Sequence, residues 1–228
     1  MSAPQKATTY NTPQAIAFGF VNLIKPDTKY KAEGEFKIRV KVPVTAKGAV
    51  EQFEMLAELA TKAYDDTVKK AQKDPKFKAT LKGKPPKVAD LPFYKDDDEG
   101  VFVYTFKTKA SYVSKKEGTA GQVITRTVPI FGPNGRYAPD DIPAFGAGST
   151  VRISFSAADF FTVTVGAGIT LRLEAVKLIK AVAFSGADND PFGDDDDDAE
   201  DYSGTGASGG SKEDTPFIPG DDEQEEDF

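Results

Sequence analysis

The sequence predicts a mainly β protein: a five-stranded Greek-key barrel with one inserted helix over residues 1–185, followed by a disordered acidic tail over residues 186–228. Three observations predict it. Short segments of two-residue alternation recur between Gly- and Pro-rich turns, the pattern of half-buried strands. One stretch alone switches to a helical period, without the βαβ alternation that a parallel sheet requires. The composition also breaks near residue 186: the last 43 residues hold 17 Asp/Glu against one lysine, Lys212, with too little apolar surface to offset the entropy of ordering them.

Residues 1–13, polar and carrying Pro4 and Pro13, read as a loose arm. A first strand follows in AIAFGFVNLI and is ended by KPD at 25–27. Residues 35–44 give the cleanest alternation, with Phe36, Ile38, Val40, Val42 and Val44 on one face and Lys37, Arg39 and Lys41 on the other. From Val50 to Lys73 the apolar positions Phe53, Leu56, Ala60, Tyr64, Val68 and Ala71 recur at three- and four-residue intervals, which predicts a helix. Residues 74–92 are rich in Pro and Lys and fit no period, so they read as a loop. Strand patterns resume at 101–113, 122–131, 149–156, 160–165 and 169–184. Turns are expected at GPNG 132–135 and at the two GAG triplets, 146–148 and 166–168.

Charge divides the chain more sharply than its average of −7 suggests. The tail carries −16 and residues 1–185 carry +9, so one part attracts polyanions and the other imitates one. There is no Cys and no His, which removes disulfides, thiol nucleophiles, imidazole acid–base chemistry and ordinary zinc sites. The acidic runs Asp96–Glu99 and Asp194–Asp198 lack EF-hand spacing, and the first reads as a hairpin connection. GAGST at 146–150 lacks the Lys of a phosphate loop. An enzyme, a metal or a cofactor is therefore not expected. No run approaches 18 apolar residues and the N-terminus has no signal-peptide pattern, so the expectation is a soluble intracellular protein.

What the body does offer is cations interleaved with 17 Phe and 8 Tyr, the two handles a single-stranded nucleic acid requires: charge for phosphates and rings for base faces. In residues 101–113, alternation separates Lys107 and Lys109 from Phe102, Tyr104, Phe106 and Tyr112, and either face can look outward. Phe160 and Phe161, after the polar SAAD, stand near a strand start where one ring must face outward if the segment is extended. Lys82 and Lys84, flanking Gly83 in the loop, are placed to reach phosphates. Arg39, Arg126 and Arg152 lie on polar strand faces, where Arg both pairs with phosphate and stacks. A second reading, an acidic-tailed chaperone or interaction module that does not bind nucleic acid, shares the tail but has no use for a +9 body.

The ordered set LIKPD at 23–27, GEFKIRVKVP at 34–43, LPFY at 91–94, FKTKASY at 106–112, DIPAFGAGSTVRISFS at 141–156 and VGAGITLRLEAVKLI at 165–179, closing on an acidic tail that ends in DF, resembles the single-stranded DNA-binding proteins of short-tailed, autographivirus-type phages. The resemblance implies an OB-fold with a helix inserted after the third strand. It further implies sequence-independent binding of single-stranded DNA, strand annealing, and a role in phage DNA replication, recombination and repair inside an infected bacterium. A homodimer is implied, whose tails contact the phage DNA polymerase and primase-helicase. Carried over by position, Lys107 matches a DNA-contacting lysine, Lys82 an arginine of the loop, Phe160 a tyrosine, and Phe228, beside Asp227, the partner-contacting terminus. Phe161 stands where the family has a tryptophan nearby, so either ring is a candidate to stack a base.

Overall fold

The computed structural model describes residues 8–29, 31–114 and 118–183; the predicted tail, with Asp227 and Phe228, lies outside them. In chain order the elements are β1 (Thr9–Asn11), β2 (Ala15–Asp27), β3 (Glu35–Pro43), α1 (Ala49–Lys73), α2 (Pro75–Thr80), β4 (Phe93–Asp96), β5 (Val101–Lys109), β6 (Ser111–Val113), β7 (Val123–Thr125), β8 (Ile130–Gly132), β9 (Gly135–Arg136), β10 (Thr150–Thr162) and β11 (Gly166–Lys180). Pairing closes a ring in the order β2, β3, β5, β11, β10 and back to β2. All its contacts are antiparallel except β5 with β11. Counting ring strands along the chain, the order is 1-2-3-5-4-1, the five-stranded Greek-key barrel of the OB-fold.

Alternation builds the core as the sequence predicts. Phe36, Ile38, Val40 and Val42 of β3 are buried, as are Phe102, Tyr104 and Phe106 of β5, whose aromatic side therefore fills the barrel and leaves Lys107 and Lys109 outside. Ile153, Phe155, Ile169 and Leu171 complete the interior, with Phe106 and Phe155 ring centroids 4.9 Å apart. The helix α1 follows β3, third in chain order, and so enters between the second and third strands of the ring. It buries Leu56, Ala60 and Ala63 and stacks Phe53 on Phe102 at 4.4 Å.

Several boundaries differ from the sequence reading, each for a local reason. Residues 9–11, read as part of a loose arm, form β1, because Tyr10 packs on Phe155 and the backbone pairs with Ser154–Ser156 of β10. The strand expected to stop before KPD continues through it, with a register break around Gly19, whose φ of +64° suits a bulge. The aperiodic 74–92 stretch contains α2, capped by the Asp74 carboxylate, which accepts from the N–H groups of Lys76 and Phe77. Ala110 ends β5, and Pro129, which has no N–H for a ladder, separates β7 from β8. The segments 149–156 and 160–165 are not two strands: SAAD continues β10, and residues 163–165 form the turn into β11. The second GAG is likewise inside β11 rather than a turn.

Gly166 shows why. Its φ is +112°, and a Cβ there meets the carbonyl oxygen of Lys87 at 2.4 Å. This close approach lets Ala167 exchange backbone hydrogen bonds with Lys87 and Ala89, docking the lysine-rich loop on the start of β11. Gly166→Ala is expected to lower unfolding free energy by about 2–3 kcal/mol or more, the scale of a non-glycine residue forced into such backbone; urea denaturation measures it, and a loss well under about 1 kcal/mol contradicts this role.

Candidate nucleic-acid interface

The outer face of the barrel is built by the positions that alternation leaves over. Register places Asn22, Lys37, Lys107, Arg172 and Ser156 in one row across all five ring strands. Lys37, Lys107 and Arg172 are consecutive in it, on strands about 4.8 Å apart. None of the three has a carboxylate partner among the described residues. Like charges directly opposite each other destabilise a sheet, so this row is a standing cost that a bound polyanion removes.

Beside the row lies a groove of about 600 Å³ lined by Lys107, Lys109, Tyr112, Arg126, Phe160 and Arg172, with Lys31, Glu35 and three threonines on its rim. Phe160 reaches it because β10 alternates Ser156, Ala158 and Phe160 outward. Its cross-strand partner is Gly168, over which the ring lies: a Cβ there would be in ordinary contact with Phe160 Cε1 at 3.7 Å, while the Ala89 Cβ, at 3.1 Å, is its close neighbour. Glycine covered by an opposed aromatic is a recognised sheet device. On the far side, the β6–β7 hairpin brings the Arg126 guanidinium 4.4 Å from the centre of the Tyr112 ring, which orients both groups. The groove thus combines two rings with at least three cations.

Two of its lysines are already engaged. Lys109 donates to Glu33 at 2.6 Å and Lys31 to Glu35 at 2.8 Å. The hydrogen bond from Lys109 holds the Glu33 carboxyl below the ordinary carboxylate range, and the bond to Glu35 raises the Lys31 ammonium above its ordinary value. Lys107, Arg126 and Arg172 carry no such partner among the described residues.

The structure brings Lys107, Lys109, Tyr112, Arg126 and Phe160 together, Arg126 just past the end of β7, and distributes the other sequence candidates around them. Arg39 is on the same outer face, but its guanidinium lies 4.5 Å above the Phe18 ring. Phe161 points to the opposite side of β10 and packs on Phe77 of α2 with centroids 4.9 Å apart. Lys82, with φ +51°, and Lys84 are exposed on the turn after α2. This turn leads into the segment docked on β11 opposite Phe161. Arg152 lies eight residues before Phe160 on the same face, in a separate pocket. Arg172, Lys37 and Lys31 are not among the sequence candidates for contact, although alternation already puts Lys37 on the polar face of β3, and Ile169, Leu171, Leu173 against Thr170, Arg172 carries the signal for Arg172. Lys31 carries none.

Among the described residues no helix is long and apolar enough to cross a membrane, and no three His, Cys, Asp or Glu side chains converge as metal ligands. Asp97 to Gly100 form the β4–β5 turn, as the hairpin reading expects.

Residues 14–181 match the family described as single-stranded DNA-binding protein, bacteriophage T7. The chain is similar to the single-stranded DNA-binding protein of Escherichia phage T7, 26% identical over 161 residues that cover 69% of this chain and 66% of that one. It is also similar to the single-stranded DNA-binding protein of Enterobacteria phage T3, 23% identical over 201 residues covering 85% and 84%. The crystal structure of the single-stranded DNA-binding protein encoded by bacteriophage T7 superposes with a TM-score of 0.66 at 23% identity, over 89% of this chain and 100% of that one; this likeness concerns the fold.

Proposed function

The chain belongs to the bacteriophage T7 single-stranded DNA-binding protein family, and we propose that it binds single-stranded DNA without strong sequence preference through the groove between Phe160 and the β6–β7 hairpin. The observation that carries this reading is the uncompensated row Lys37–Lys107–Arg172 beside a ring that is only half-buried. Phosphates neutralise the row and release counterions, so affinity falls with salt. Phe160 offers its π-face to any base, and Arg126, held by Tyr112, closes the other wall. Lys82 and Lys84 reach phosphates from the turn after α2, and Arg39 extends the cationic face along β3.

In this reading the tail from residue 186, with its charge of −16, competes with DNA for the same cations and, once displaced, recruits replication proteins through its end, Asp227 and Phe228. The phage DNA polymerase and primase-helicase are the partners proposed, a homodimer the working form, and the cytoplasm of the infected bacterium the place. Filter binding with oligothymidylate tests this on the full chain and on one truncated after residue 210. Binding is expected for both, tighter for the truncated chain at low salt. Equal affinity contradicts the competition by the tail, and no binding by either contradicts the function.

A further inference from the structure

A second cross-strand row lies at the other end of the barrel, away from the groove. Arg152 of β10 pairs with Lys177 of β11, Lys177 with Phe131 of β8, and Phe131 with Arg136 of β9. All four side chains are exposed, Phe131 by 37%. None of the three cations has a carboxylate partner among the described residues. Like charges opposed across β10 and β11 again cost stability in the free protein, and the Phe131 ring between Lys177 and Arg136 leaves more than a third of its surface to solvent. The row borders a pocket of about 590 Å³ whose other walls are Asn11, Ser154 and the Gly132–Gly135 turn. The Arg152 side chain is held in place by donating from Nε to the carbonyl oxygen of Thr12 at 3.2 Å.

This row shares the groove's kind of make-up, adjacent unpaired cations beside an aromatic ring on the same outer face, with one ring where the groove has two. Arg152 and Phe160 are eight residues apart along β10, about 26 Å at roughly 3.3 Å per residue, a distance one extended strand of several nucleotides covers. The outer face between them carries only small side chains on β10: Ser154 and Ala158, half-buried, and Ser156, buried. Glu174, whose carboxylate accepts from the Ser156 hydroxyl at 2.8 Å, is the one anion on this path among the described residues of β10 and β11.

We propose that the Arg152–Lys177–Phe131 pocket is a second nucleotide subsite, which holds one phosphate on Arg152 and the next on Lys177 and stacks a base on Phe131. A long single strand then occupies both sites, with the segment between them crossing the β10–β11 face. The inference rests on the reading of the groove as a single-stranded DNA site, and the experiment separates the two.

Anisotropy is measured on the full chain and on Arg152→Ala/Lys177→Ala with oligothymidylates of about 6 and about 16 nucleotides, near the lower end and at the upper end of the range of about 4–16 that one barrel of this kind covers. For the longer oligonucleotide the salt slope is expected to fall by about 1.4, roughly 0.7 for each single-strand phosphate that is no longer neutralised, while the shorter retains at least half its affinity. Lys177→Ala/Arg136→Ala, which leaves the Arg152 bond to Thr12 intact, is expected to act in the same direction with an unchanged melting temperature. Phe160→Ala weakens both lengths. If the pocket variants bind the longer oligonucleotide with the wild-type slope, the second subsite is overturned and the groove stands. If the wild-type chain binds neither length, the groove reading fails, and the subsite with it.

Discussion

Phe160→Ala is expected to weaken binding of oligothymidylate by about 1–3 kcal/mol, the loss of one stacked base, while leaving the melting temperature within a few degrees. Phe161→Ala is expected to do the reverse: affinity close to wild type and stability reduced by about 1–2 kcal/mol, part of the cost of truncating a fully buried ring. The two side chains are adjacent in sequence, and a strand sends neighbours to opposite faces. One consequently lies across Gly168 and fronts the groove, and the other packs on Phe77 of α2. Oligonucleotide titration and urea unfolding on both variants check the assignment. Equal losses of affinity at the two positions, or a loss at Phe161 alone, contradict it.

Lys107→Ala and Arg172→Ala are each expected to lower the salt slope of binding by roughly 0.7–1 and to leave stability unchanged or raised by a few tenths of a kcal/mol, since each relieves a like-charge contact. Their side chains face one another across β5 and β11, and Lys107 also faces Lys37 across β3. Lys109→Ala is expected to change the slope less, because Glu33 already engages its ammonium at 2.6 Å. Titrating the variants at several salt concentrations ranks the three. A larger effect at Lys109 than at Lys107 contradicts the view that unpaired cations carry the phosphate contacts. A marked drop in stability at Lys107 or Arg172 contradicts the view that the row is strained in the free protein.

Much of the barrel was legible because its strands alternate cleanly, as in β3 and β5, and because α1 is the one segment with a helical period. What periodicity cannot convey is which face of an alternating strand turns inward when both faces are plausible. Residues 101–109 left this open, and closure of the ring around Phe102, Tyr104 and Phe106 decides it. The second limit is glycine. A GAG triplet reads as a turn from composition, yet 166–168 is strand, because Gly166 admits the Lys87 carbonyl and Gly168 the close approach of Ala89. Missing that, the sequence reading divides β10 at SAAD and cannot tell which of Phe160 and Phe161 faces outward. The third is register. Lys107 was legible as an exposed cation on a strand, but its juxtaposition with Arg172, 65 positions away, comes from the parallel pairing of β5 with β11, which no local pattern encodes. Arg152 shows the same effect with the opposite outcome: a correct reading of its face, yet a place in a different pocket from Phe160.

Fluorescence anisotropy with single-stranded and duplex oligonucleotides of equal length, between about 50 and 200 mM salt, shows whether an outer face of unpaired cations and half-exposed aromatic rings grips an unpaired strand. The single strand is expected to bind more tightly, with a slope of log K against log salt of about −3 or steeper, of which roughly four phosphates neutralised by Lys37, Lys107, Arg126 and Arg172 supply about −3. Equal or stronger binding of the duplex, or single-strand binding indifferent to salt, contradicts it.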